Sequence, residues 1–61
     1  MTNEEMKAAI HDMRSPLSGI RAQASMLVEG DYGELSEDAK KAAKSILDAA
    51  ERAIALLEKQ S

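Results

Sequence analysis

The chain has 61 residues, a formal net charge of −3, no cysteine and a single histidine, which exclude a disulfide framework and argue against a structural zinc site or a nucleic-acid partner. No apolar run approaches the roughly 20 residues that cross a bilayer, so we expect a cytoplasmic location and no direct membrane contact. This expectation applies also if the chain is part of a longer protein that is anchored in a membrane. The hydrophobic core of a single chain of this length contributes about as much free energy as the ordering of the chain costs, so the net stability is near zero. Disulfides and a structural metal are excluded or unfavoured above, which leaves oligomerisation as the source of stability.

The first predicted element is a helix over about residues 3–29. Thr2 and Glu5 form a capping-box pattern at its start. Apolar residues then recur at alternating spacings of four and three, which is a heptad seam: Met6, Ile10, Met13, Leu17, Ile20, Ala24 and Leu27. With Ile10 at position a, His11 falls at position b, one step off the seam. We therefore expect the imidazole to face solvent.

A turn over residues 30–36 follows, and Ser36 suits the N-cap of a second helix over about residues 37–59. The apolar seam of this helix comprises Ala39, Ala43, Ile46, Ala50, Ala53 and Leu57. It is widened by Ala42, Leu47, Ala49, Ile54 and Leu56. So wide a face predicts more than one neighbour. The predicted fold class is therefore all-α: an antiparallel helical hairpin that forms a homodimeric four-helix bundle with a second copy.

The segment from His11 to Leu17 holds the chain's only histidine and its only proline. Pro16 in a helix interior costs about 3 kcal/mol, because it leaves the Asp12 carbonyl without its helical donor. We expect Pro16 to act as a hinge, at which the helix bends next to His11. An exposed imidazole is a competent nucleophile when its other nitrogen is held by an acceptor. Asp12 is the candidate acceptor, although adjacent helical residues diverge by about 100°.

The strip that shares the side of His11 is small or polar and suits a docking partner. It comprises Lys7, Ser15, Ser18, Ala22 and Met26, with Gly19 at its edge. Lys7 and Arg14 flank the imidazole, and both are candidates to hold an incoming phosphoryl group electrostatically.

The run His11-Asp12-Met13-Arg14-Ser15-Pro16-Leu17 resembles the H-box of two-component sensor histidine kinases, and the similarity extends over essentially the whole chain. It implies a dimerisation and histidine phosphotransfer domain (DHp, HisKA-type) over residues 1–61. By this resemblance an ATP-binding kinase domain phosphorylates His11, which passes the phosphoryl group to an aspartate of a response regulator receiver domain. Asp12 is then the acid/base neighbour, and Ser15 positions water in the reverse, phosphatase reaction. Two positions depart from the family pattern: Ile10, where serine is frequent, and Glu5, where an aromatic is frequent.

The resemblance also implies ATP and Mg²⁺, but for a kinase domain supplied in cis or in trans. We expect this chain to bind no cofactor itself, because no ATP-binding domain fits within it. It would then serve a protein-histidine kinase without phosphorylating itself from ATP. A purely structural dimeric bundle without phosphotransfer is the alternative. A monomeric phosphotransfer module is a weaker alternative, because such modules normally hold four helices in one chain.

Overall fold

The computed structural model describes residues 2–60, which form two antiparallel α-helices joined by a short turn. Helix α1 spans Asn3–Glu29 and helix α2 spans Glu37–Gln60. The hairpin is 46 Å long, and the described residues contain no strand. The predicted all-α helical hairpin is therefore confirmed. Of the predicted domain, Met1 and Ser61 lie outside the described residues. Within residues 2–60, neither helix is long and apolar enough to cross a bilayer.

Both helices begin at the predicted N-cap residues. The Glu5 N–H donates to Thr2 Oγ1 at 3.1 Å, at the start of α1. The Ala39 N–H donates to Ser36 Oγ at 3.1 Å, at the start of α2. In each case a hydroxyl oxygen takes up one of the backbone donors that lack a helical partner. These caps fix where each helix begins.

Helix α1 ends in a Schellman motif at Gly30. This glycine has a φ of 83°, in the left-handed region where a side chain would be strained. The Gly30 N–H donates to the Leu27 carbonyl at 3.3 Å, and the Asp31 N–H donates to the Met26 carbonyl at 3.0 Å. The two bonds use the last carbonyls of α1 and reverse the chain towards α2.

The contact between the helices is built from small and β-branched side chains. Its buried residues are Ile10 and Ala24 of α1 and Ala43, Ala50 and Ile54 of α2. Half-buried leucines fill the gaps between them: Leu17, Leu27, Leu47 and Leu57.

The contact of α2 with α1 uses only part of the predicted seam. Ala39 and Ile46 belong to the predicted seam but are exposed, whereas Leu47 and Ile54, predicted only to widen it, contribute to the contact with α1. Around the helix Ile46 lies about 60° from Ala43, while Leu47 and Ile54 lie about 40° and 20° from it on the other side. Apolar residues cover so much of this helix that their spacing alone does not select the contact face.

The hairpin leaves one apolar side uncovered. The large side chains of this side, here named the apolar face, are Met6, Met13 and Ile20 of α1 and Ile46 of α2, and each is between 40% and 49% exposed. Leu17 to Ile20 and Ala43 to Ile46 are both three-residue steps, which turn about 60° around a helix in the same sense. Because the helices are antiparallel, the two steps lead to the same side of the hairpin. Both strips therefore form one surface.

Candidate functional site

His11 lies on α1 with its side chain 87% exposed, as predicted from its heptad position. Its Nδ1 atom is 3.8 Å from Oδ1 of Asp12, whose side chain is 82% exposed. This separation is too long for a hydrogen bond, but it is within reach of a small carboxylate movement or one bridging water. The acid therefore lies on the Nδ1 side of the ring, which leaves Nε2 as the nitrogen available to attack an electrophile.

Arg14 contacts the second helix. Its Nη2 atom lies 3.4 Å from Oε2 of Glu58, and both side chains are about half exposed. Arg14 is three residues beyond His11, which places it about 60° around α1 on the side nearer to α2. This pair was not predicted from the sequence, because partners 44 residues apart in the chain meet only in the register of this hairpin.

Lys7 and Ser15 are both exposed, one turn before and one turn after His11. Residues four apart on a helix have Cβ atoms about 5–6 Å apart, so both side chains border the imidazole. Pro16 lies inside α1, and the helix continues through it without interruption. The bend at Pro16 stays a prediction.

The rest of the predicted docking strip runs from the site towards the turn. Gly19 and Ala22 are exposed, whereas Ser18 and Met26 are half-buried. A Cβ atom added to Gly19 would meet nothing within 4 Å. Packing within the hairpin therefore does not require glycine at this position.

Tyr32 forms a contact at the turn that the sequence analysis did not anticipate. Its hydroxyl donates to Gln23 Oε1 at 2.5 Å and lies 3.8 Å from Met26 Sδ. The tyrosine thus holds the turn against the end of the docking strip, and it accounts for part of the contact around Met26. A tyrosine in a turn that follows a helix is the only hint of this contact in the sequence.

The site and the apolar face lie on opposite sides of α1. Ile20 is nine residues beyond His11, which corresponds to about 180° around the helix. A molecule that covers Ile20 would therefore leave His11 uncovered. This separation follows from the register of two residues on one rigid helix.

The described residues form no cluster of three or more histidine, cysteine, aspartate or glutamate side chains that could hold a metal ion. A shallow pocket of about 180 Å³ lies at the turn, well away from His11. It is lined by Leu27, Val28, Glu29, Gly30, Glu34, Leu35 and Lys40.

An exposed histidine with an acidic neighbour, on a two-helix hairpin with an uncovered apolar side, places the chain in the class of histidine phosphoacceptor hairpins. The family model of the His Kinase A (phospho-acceptor) domain, HisKA, matches residues 1–59. The chain belongs to this family. Searches of curated proteins and of solved structures gave no match. Membership supports a phosphoacceptor and dimerisation role within the histidine kinases of two-component signalling.

Proposed function

We propose that residues 1–61 form the dimerisation and phosphotransfer domain of a sensor histidine kinase and that His11 is its phosphoacceptor. One observation carries the proposal: in a chain of this family, the single histidine is 87% exposed on the side of the hairpin away from the apolar face. A kinase domain could therefore reach the imidazole while the apolar face is covered.

In the phosphorylation step, the Nε2 lone pair of His11 attacks the γ-phosphorus of ATP held by a kinase domain. The N–P bond forms as the bond from that phosphorus to the bridging oxygen breaks, and ADP leaves with the electron pair. The Nδ1 proton passes to the Asp12 carboxylate, directly or through water, because this acid lies 3.8 Å away. Mg²⁺ held by the kinase domain would offset the charge of the phosphates.

In the transfer step, an aspartate of a response regulator receiver domain takes the phosphoryl group from His11. The receiver would dock on the strip that runs from Lys7 to Met26, whose small side chains at Gly19 and Ala22 permit close approach. Ser15, one turn beyond His11, would position the water of the reverse, phosphatase reaction. Lys7 would attract the anionic group during both reactions.

A second copy of the chain would cover the apolar face and complete a four-helix bundle. A small hairpin that exposes several large apolar side chains on one side is unfavourable in water, and such a surface typically marks an interaction site. Each side chain is already partly covered by its own hairpin, so dimerisation would bury the remainder. Covering Ile20 leaves His11 accessible, which makes dimerisation and phosphotransfer compatible.

The test is labelling of the chain by the kinase domain of a histidine kinase supplied with γ-labelled ATP and Mg²⁺. We expect acid-labile label on the wild-type chain and none on His11→Gln, because glutamine keeps a polar side chain but has no nucleophilic nitrogen. Circular dichroism and sedimentation should show the same folded assembly for both chains, since His11 makes no contact in the core.

A receiver domain added to the labelled chain should then remove the label from it. Equal labelling of the wild-type and His11→Gln chains would overturn the assignment of His11. A folded dimer that several kinase domains fail to label would favour the purely structural bundle. A folded monomer at micromolar concentration would favour the monomeric module.

A further inference from the structure

The Arg14–Glu58 ion pair connects the two helices beside the proposed phosphoacceptor. Arg14 belongs to the first half of α1, and Glu58 belongs to the last turn of α2. Their 3.4 Å contact therefore joins the last turn of α2 to α1. Arg52 and Asp48 form a second ion pair with the same separation, but that pair lies entirely within α2.

Arg14 is also within reach of His11. Side chains three residues apart on a helix have Cβ atoms about 5–6 Å apart, and an arginine side chain is long enough to span that distance. Around the circumference of α1, Arg14 lies between His11 and α2. One guanidinium can therefore serve either the carboxylate on α2 or a group attached to the imidazole.

A phosphoryl group on His11 would compete strongly for this guanidinium. It brings extra negative charge and three acceptor oxygens, which arginine contacts through two parallel hydrogen bonds. The contact to Glu58 is long, and both of its side chains are about half exposed, so solvent screens it and it is weak. The stronger acceptor lies on the same helix as the arginine.

We propose that Arg14 changes partners when His11 is phosphorylated, from the Glu58 carboxylate to the phosphoryl oxygens. This inference rests on the proposed phosphorylation of His11. The exchange removes one of the contacts of Glu58, the one to Arg14, so that the last turn of α2 is held less firmly when the histidine carries phosphate. The modification state of one side chain on α1 is thereby transmitted to the other helix.

The experiment phosphorylates the full chain chemically, with phosphoramidate. The P–N bond of the reagent breaks, ammonia leaves with a proton, and a new N–P bond forms at the imidazole, so no kinase domain is needed. Mass spectrometry confirms one added phosphoryl group, and its loss in His11→Gln confirms the position. Amide hydrogen exchange is then measured in the last two turns of α2, residues 53–60. We expect exchange there to become roughly two- to fivefold faster on phosphorylation, the factor set by the loss of one surface ion pair.

Two variants make the result specific. In Glu58→Gln, exchange over residues 53–60 should be fast already, and phosphorylation should add nothing. In Asp48→Asn, which removes an ion pair inside α2, the phosphorylation response should persist.

Unchanged exchange after confirmed phosphorylation would overturn the inference, and so would an undiminished response in Glu58→Gln. Neither result bears on the proposed function, which is tested by labelling with kinase domains and by the oligomeric state. The two proposals can therefore fail separately.

Discussion

Ile20→Ala provides a direct test of the proposed dimer. Ile20 belongs to the apolar face, and 46% of its surface stays exposed in the single hairpin. The substitution removes apolar surface that only a second copy could cover, while the contact with α2 keeps its buried residues. It should therefore weaken association, and it should cost the hairpin a similar amount per copy, because about half of the side chain is already covered there.

The magnitude follows from the exposed fraction. Full burial of an isoleucine side chain contributes about 1.5–3 kcal/mol, and roughly half of this remains to be gained on association, or about 1 kcal/mol per copy. A twofold dimer contains the substitution twice, so the loss is about 2 kcal/mol. Since about 1.4 kcal/mol corresponds to a factor of ten, the dimer dissociation constant should rise by roughly 30-fold.

Sedimentation equilibrium over a range of concentrations measures this constant, and the midpoint of thermal unfolding should rise with concentration for the wild-type chain. Tyr32→Ala is the matched control, because Tyr32 is 58% exposed but lies in the turn, outside the apolar face. Its dissociation constant should stay near the wild-type value. A constant that is unchanged in Ile20→Ala, or that rises as much in Tyr32→Ala, would refute the assignment of this surface.

Two further substitutions test the helix itself. Pro16→Ala restores a donor for the Asp12 carbonyl and should stabilise the fold by about 2 kcal/mol, with a higher unfolding midpoint. It should slow labelling by a kinase domain, because a helix without the predicted bend lets the two parts of the bundle on either side of Pro16 move less relative to each other. Faster labelling would contradict this role of the bend. Gly30→Ala places a Cβ at a φ of 83° and should destabilise the fold by about 1 kcal/mol in denaturant titrations, although the nearest atom, the Gly33 carbonyl oxygen, is 4.0 Å away. Gly19→Ala is its control and should be neutral or stabilising, because the helix accepts alanine there without contact.

The hairpin could be predicted from the sequence because its determinants are local. The spacing of apolar residues in α1 and the hydroxyl caps at Thr2 and Ser36 act within one or two turns of the helix. The contact face of α2 could not be predicted in the same way. Ile46 and Leu47 are adjacent and both apolar, and only the position of α1 decides which of the two it covers.

The same distinction applies to the candidate site. The exposure of His11 follows from its step off the heptad seam, so it could be predicted from α1 alone. The partner of Arg14 could not, because Glu58 reaches it only through the register of the two helices. Ion pairs between surface residues far apart in the chain produce no periodic pattern in a sequence. This pair adds a contact with Glu58 to the role expected for Arg14, which was to hold an incoming phosphoryl group.

The position of the histidine along α1 matters as much as its side of the helix. His11, Ser18 and Ser25 occupy the same heptad position, yet the histidine is exposed whereas both serines are half-buried. A straight helix drifts about 20° per heptad, and here the drift carries successive residues of this position towards α2. In this register Ile10, Leu17 and Ala24 pack against α2. The side of α1 that carries His11 is therefore covered more and more by α2 from His11 towards the turn. A phosphoacceptor at Ser25 would be partly enclosed, whereas two heptads earlier, at His11, the ring stays open to a kinase domain and to a receiver.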